Sequence, residues 1–294
     1  MLKSLTKSQI IGLSHTHSFK PRRRLGQNFL IDRNIINKIV KVASPAQGDV
    51  FLEIGAGFGA LTIPVAQRAD KILAFEVDRK LCDILKEETR ELKNARIVCL
   101  DFLKIDFNEF FGSKKIRVIG NLPYRIASLI IEKLTHIGNG VKDIYIMTQK
   151  EFADRLTATP RSGKEYSSLS LFANFYFSIK KLFAIKRTCF WPCPKVDSVF
   201  LKLKERLSHP VKVRNEKLMF DVIRSAFGKR RKTILNSLAS GNFCCFEKER
   251  LRVILKGAGI SAGDRAENLN LEDFARLANI INQYSKREKS PLII

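Results

Sequence analysis

The sequence is poor in acid: 29 Asp and Glu stand against 53 Lys and Arg, a formal net charge of +24, and residues 1–31 contain no acidic side chain. A field of that sign calls for a polyanion, either nucleic acid or an anionic membrane surface, and says nothing about chemistry. Long apolar runs are missing as well. None approaches the ~18 residues needed to cross a bilayer, and the N-terminal stretch lacks the unbroken apolar core of a secretory signal. The six cysteines (Cys82, Cys99, Cys189, Cys193, Cys244 and Cys245) form no CxxC pair and accompany no paired His cluster. Neither a zinc site nor a disulfide framework is therefore expected, and no metal ligand is assigned. Reduced thiols in a cytoplasmic setting are the expectation. There is no internal repeat and no low-complexity tract, and 45% hydrophobic residues suffice for a sizeable core.

What the chain does have is a regular change of period. Residues 32–43 carry apolar side chains at helical spacing, started by Asp32 and stopped by Ser44-Pro45. Strand patterns follow at 50–54, 71–76, 96–100, 116–120 and 143–148, with helical patterns running to Arg68 and over 78–90, 126–136 and 150–158. Strands separated by such helices imply an α/β fold with a mostly parallel sheet covered on both faces. Late strands at 182–187 and 198–204, the second alternating Val199, Leu201 and Leu203, suggest a half-exposed antiparallel edge hairpin. Beyond Ser208-His209-Pro210 only helices are expected, at 215–227, 229–239, 247–257 and 271–283. The expected organisation is a flexible basic arm over 1–24, a catalytic domain over 25–207 and an all-α domain over 208–294. The arm reads either as an RNA-contacting segment or as an organelle targeting peptide, and the lack of arginine before Arg22 favours the first.

Chemistry enters with Glu53-Ile54-Gly55-Ala56-Gly57-Phe58-Gly59, which leaves a strand and enters a helix. Glycines there bring backbone close to a ligand beneath a helix N-terminus. Glu76, at the end of the next strand, is placed to accept hydrogen bonds from ribose hydroxyls. The GxGxG spacing lacks the third glycine position of the dinucleotide fingerprint, so a methionine-based cofactor fits better than a nicotinamide. Asp101, which closes the third strand, is either a helix cap or an acceptor for an adenine amino group. Asn121-Leu122-Pro123-Tyr124 then puts an amide, a proline-fixed turn and an aromatic at the C-terminal edge of the sheet. The Asn121 carbonyl and a neighbouring backbone carbonyl can accept from an exocyclic amine while Tyr124 stacks on its base. Two such acceptors favour a nitrogen turning cationic as it attacks a methylsulfonium.

In this order the segments resemble the ribosomal RNA adenine dimethyltransferases of the KsgA type, relatives of the erythromycin-resistance rRNA methylases. The resemblance runs from about Leu25 to Ala278. It is carried further by Gly26-Gln27-Asn28-Phe29-Leu30, Gln149-Lys150-Glu151, Pro194-Lys195-Val196-Asp197-Ser198, Phe227 with Arg230-Arg231-Lys232-Thr233, and Arg265-Ala266-Glu267-Asn268. It implies a Rossmann-like class I methyltransferase domain followed by a helical RNA-binding domain. It also implies that Asn28, Leu30, Gly55, Gly57, Glu76, Asp101 and Asn121 hold S-adenosylmethionine. Asn121, Leu122, Pro123 and Tyr124 would form the adenine pocket, with Phe190 as a second stacking face. The implied reaction is dimethylation of two neighbouring adenosines in a hairpin near the 3′ end of small-subunit rRNA. The implied setting is an immature ribosomal subunit, the enzyme a monomer without membrane contact. The alternatives are a resistance-type methylase of large-subunit rRNA and a non-catalytic assembly factor. Ala56, Arg125 and Cys193 depart from the family's usual residues at their positions.

Two cationic groups are expected to meet RNA phosphates. Arg22, Arg23 and Arg24 precede the Gly26–Leu30 segment, and Arg230, Arg231 and Lys232 are read as opening a helix whose dipole they oppose. Phe243 and Phe246, which flank Cys244-Cys245, are expected in the core of the tail domain.

Overall fold

The computed structural model describes residues 5–107, 115–123, 125–135, 137, 140–241 and 246–289. Tyr124, Phe243, Cys244 and Cys245 lie outside the described residues. The chain divides into two compact units. One holds the chain up to Ala153 together with Ser178–Glu205, and the other holds Asp154–Phe177 together with the chain from Arg206 onward.

In the first unit, β1 (Phe29–Leu30) and β8 (Phe190–Trp191) form a short antiparallel ribbon. The main sheet contains β2 (Val50–Ile54), β3 (Lys71–Glu76), β4 (Ala95–Cys99), β5 (Ile116–Asn121), β6 (Val141–Gln149), β7 (Phe177–Ile185) and β9 (Ser198–Glu205). Their spatial order is β4-β3-β2-β5-β6-β9-β7. Strands β2 to β6 run parallel, and β9 lies antiparallel to β6. Val50-Phe51-Leu52 and Val118-Ile119 are buried, as central strands covered on both faces require. Chain order turns back at β2, which lies between β3 and β5, so the carboxyl ends of β2 and β5 form the switch point at which open α/β sheets bind ligands.

The helices begin where side-chain caps allow. Asp32 accepts from the backbone amides of Asn34 and Ile35 to start α2 (Arg33–Ala43), whose Ile36, Ile39, Val40 and Ala43 are buried. The short α3 (Thr62–Ala66) follows the glycine turn and is buried throughout. Asp78 caps α4 (Arg79–Glu88) by accepting from Lys80 N–H. Below the sheet, Arg117 on β5 donates to Asp143 at 2.8 and 3.0 Å, to Asp49 at 2.7 Å and to the carbonyls of Ala43 and Ser44, tying the end of α2 to two strands.

Four expectations are corrected. The arm is folded over its described residues. Thr6 and Gln9 close a capping box on α1 (Lys7–Thr16), and Leu5, Ile10 and Phe19 are buried with Phe29, Phe58, Leu81 and Ile84. The two late strands do form the sheet's edge, but β9 is not half-exposed: it lies between β6 and β7 with Val199, Phe200, Leu201 and Leu203 buried, and β7 takes the outer place with Lys180 and Lys181 exposed, as edge strands often do. The boundary expected at 207 also differs, since residues 154–177 belong to the second unit. They supply a helix, Ser168–Tyr176, and place Tyr166, Leu171 and Phe175 in the same core as Phe220, Ile223, Leu255 and Phe274. Last, the basic run does not open a helix. One helix ends at Gly228 and the next is Ile234–Ala239, capped by Thr233. Lys229–Lys232 thus fill the turn after a helix C-terminus, where cations suit the dipole.

The second unit continues with helices Lys248–Gly257 and Leu271–Lys289. Tyr166 Oη donates to the Leu269 carbonyl at 2.8 Å, and Phe246 packs against the core as expected. Among the described residues no helix is long and apolar enough to cross a membrane.

Candidate active site

A cleft opens at the switch point of the first unit, enclosing about 1000 Å³ counted out to its open mouth. Its walls come from the segment Leu25–Leu30, the glycine turn after β2, and the carboxyl ends of β3, β4 and β5. Asn28, Leu30, Gly55, Gly57, Glu76, Asp101, Asn121, Leu122 and Pro123 all line it. The fold therefore assembles nine of the expected residues, drawn from five separate stretches of chain.

The glycine turn is shaped for close approach. Gly57 adopts φ +56°, and a Cβ there would stand 2.9 Å from the Phe29 ring, so a side chain at this place would collide with the opposite wall. The Gly57 N–H donates to Glu76 Oε2 at 2.9 Å. Val77 and Asp78 donate to Glu76 Oε1 at 2.9 and 3.0 Å. A carboxylate has about four acceptor positions, so roughly one remains for a ligand hydroxyl, where the sequence suggested two. Burial raises the Glu76 pKa above the usual carboxylate value, against the lowering effect of these three amides. Glu53, 2% exposed, lies beneath the turn and accepts from Thr62 Oγ1 at 2.5 Å. Burial pushes its carboxyl up to about 8, and the neighbouring Glu76 charge adds to the effect.

Asn121 ends β5. Its Nδ2 donates to the backbone carbonyl of Asn28 at 2.8 Å, and a carbonyl can only accept, so the side-chain orientation is fixed. Asn121 Oδ1 is then buried without a partner, one of two such side-chain atoms among the described residues. An orphaned acceptor on a residue that lines a cleft is a costly arrangement that a donor on a ligand relieves. Leu122 N–H donates to the Met147 carbonyl at 3.0 Å, anchoring the turn through Pro123. Asp101 does serve as a cap, with Oδ1 accepting from Leu103 N–H at 3.0 Å, and it lines the cleft at the same time.

Phe190 stands apart from these nine. Its side chain is 2% exposed and packs in the sheet core with Leu30, its ribbon partner and itself a cleft residue, while Phe190 is not among the residues that line the cleft. Residues opposite each other in a ribbon share a face, so Phe29 and Trp191 occupy the other side, with ring centroids 6.2 Å apart. Sequence reasoning missed Val77 and Leu100, which line the cleft at the ends of adjacent strands. They are 51% and 48% exposed, unusual for apolar residues beside a buried carboxylate. A single apolar residue after a strand carries no signal of its own.

A family model described as ribosomal RNA adenine dimethylase matches residues 18–283. The chain belongs to that family. It is 40% identical over 267 residues to the ribosomal RNA small subunit methyltransferase A of Alkaliphilus oremlandii, covering 90% of this chain and 92% of the relative. The same-named protein of Clostridium acetobutylicum is 37% identical over 281 residues, 95% of this chain and 99% of the relative. Among solved structures, a dimethyladenosine transferase from Plasmodium falciparum aligns with TM-score 0.71 and 26% identity, over 88% of this chain and 98% of that one. The 23S rRNA methyltransferase ErmE aligns with TM-score 0.64 and 25% identity, over 87% and 100%. The rRNA adenine dimethylase fold, a class I methyltransferase sheet with a helical C-terminal region, is thus the fold of this chain.

Within this dimethylase the cations divide by what they already hold. Arg23 and Arg24 are exposed in a short turn before the cleft, whereas Arg22 pairs with buried Asp78 at 3.4 Å. Arg231 and Lys232 are exposed, but Arg230 donates to the carbonyls of Lys164 and Gly163 at 2.6 and 2.9 Å and pairs with Glu267 at 3.3 Å. The described residues contain no group of His, Cys, Asp and Glu able to hold a metal ion.

Proposed function

We propose that this chain is an S-adenosylmethionine-dependent rRNA adenine N6-methyltransferase. Its substrate is two adjacent adenosines in a hairpin near the 3′ end of small-subunit rRNA, each dimethylated within an immature subunit, by a cytoplasmic monomer. The observation that carries the reading is the unpartnered, buried Asn121 Oδ1 beside the glycine turn. A nucleoside cofactor fits the rest of the cleft: the free acceptor capacity of Glu76 suits a ribose hydroxyl, Asp101 an adenine amino group, and Val77 and Leu100 the faces of a purine. The Asn28–Leu30 segment and the Gly55–Gly57 turn would close around it. S-adenosylmethionine supplies an electrophilic methyl group.

The chain's own contribution is to hold the nucleophile. Asn121 Oδ1 accepts from the adenine amino group, and the turn through Leu122 and Pro123 supplies a backbone carbonyl beside it. Both acceptors interact more strongly with nitrogen as it gains positive charge, so stabilisation is concentrated in the transition state. No general base is needed, since the proton leaves after the methyl arrives. Arg23, Arg24, Arg231 and Lys232 are free to bind phosphates and hold the RNA in register. An adenosine drawn from its stack costs a few kcal/mol, which stacking in the pocket offsets; Tyr124 is the aromatic assigned to that task.

Incubating the protein and labelled S-adenosylmethionine with immature small or large subunits tests the reading. Label entering small-subunit rRNA alone supports it. Label in large-subunit rRNA would replace it with a resistance-type activity, and subunit binding without transfer would replace it with an assembly factor.

A further inference from the structure

Asp78 is buried to 1% exposure, and every polar group of its side chain and its amide is committed. Its N–H donates to Glu76 Oε1 at 3.0 Å, and its Oδ1 accepts from Lys80 N–H at 3.1 Å. Its Oδ2 accepts from Gln27 Nε2 at 3.2 Å and faces Arg22 Nε at 3.4 Å. Gln27 closes the ring, because its Oε1 accepts from Arg22 N–H at 2.7 Å. Residues 22–27 are therefore fastened to the end of β3 through one carboxylate, immediately before Asn28 receives the Asn121 amide.

The geometry points to Arg22 and Asp78 as a positioning pair for the cofactor, Arg22 being a latch on the cleft wall and not an RNA-binding cation. The inference rests on the reading of the cleft as an S-adenosylmethionine site. The half-exposed Arg22 guanidinium pairs with the Asp78 carboxylate at 3.4 Å. Without it, a buried negative charge is left beside Glu76, whose pKa Asp78 already helps to raise, and residues 22–27 lose one of their two side-chain contacts with Asp78. Arg23 and Arg24 are exposed like Arg22 but take no part in this ring.

Calorimetric titration of the full chain with S-adenosylmethionine, beside thermal melting and RNA binding, separates the roles. Arg22→Gln is expected to weaken cofactor binding about twofold to fivefold, the range for one partly exposed ion pair, with the melting temperature lowered by no more than a few degrees. Arg22→Lys should recover most of the affinity. The double variant Arg23→Gln, Arg24→Gln should keep the cofactor affinity and lose RNA affinity. In an Asp78→Asn background, Arg22→Gln should have no further effect. An Arg22→Gln chain that binds the cofactor like wild type, or that loses only RNA affinity, overturns the inference. A wild-type chain that binds no S-adenosylmethionine overturns the cleft reading, and this inference with it.

Discussion

The Asn121 amide is held 2.8 Å from the carbonyl of Asn28, so that its own Oδ1 lies buried and unpartnered at the cleft. Residues 93 apart in sequence thus orient one acceptor. Asn121→Ala is expected to reduce methyl transfer by about 10²–10³-fold, the range for losing one preorganised transition-state partner, while melting stays close to wild type. Normal turnover in a folded Asn121→Ala protein would contradict the assignment.

The carboxyl of Glu53 makes a second, pH-dependent claim. Desolvation raises it from the usual 4.5 to about 8, despite the Thr62 hydrogen bond. The folded state then holds this proton more tightly than the unfolded chain, so its stabilising contribution is full below 4.5 and is lost as pH rises toward about 8. Glu76 is displaced in the same direction. The melting temperature should fall across this interval, and Glu53→Gln, which keeps an acceptor for Thr62, should flatten the fall. A slope identical in the two proteins would contradict the assignment.

Much of this was legible because it is local. The bounds of Lys71–Glu76, the Asp32 cap and the glycine turn follow from period and capping chemistry over a few residues. Interactions between distant segments were not legible. Phe190 looks like a free aromatic until its ribbon pairing with Leu30 turns it into the core. Helix Lys7–Thr16 is hidden because Leu5, Ile10 and Phe19 are sparse in a polar, basic run, and only their burial against Phe29 and Phe58 makes it stable. Ser168–Tyr176 is rich in apolar residues with Leu169, Leu171, Phe172 and Phe175, so no clear stripe announces a helix. The start of helix Ile234–Ala239 was readable in principle: Gly228 is a stop and Thr233 a cap, signals outweighed by the charge run between them.

The buried network below the sheet is expected to govern stability and not catalysis. Arg117→Met leaves Asp49 and Asp143 without their shared cation, a loss of about 3–5 kcal/mol for a broken buried pair. Urea unfolding measures it. Cofactor affinity, measured where the variant is folded, should match wild type; a loss below about 1 kcal/mol, the range of an exposed pair, would show that the network carries little.

The tail cations should part company under mutation. Arg231→Glu with Lys232→Glu should weaken binding of structured RNA and flatten its salt dependence by about 0.7–0.9 in log–log slope for each phosphate left unneutralised. Arg230→Ala should instead lower the melting temperature, because its guanidinium holds the carbonyls of Gly163 and Lys164. An unchanged salt slope in the double variant would remove these residues from the RNA surface.

The most direct measurement is mass-spectrometric mapping of modified nucleosides in small-subunit rRNA. Immature subunits lacking dimethyladenosine would be incubated with S-adenosylmethionine and either this protein or its Asn121→Ala variant. The expected result is two adjacent N6,N6-dimethyladenosines in a hairpin near the 3′ end with the wild-type protein and, in the same time, no more than about one-hundredth of that conversion with the variant. Unmodified adenosines, or methylation only at other sites, would contradict it.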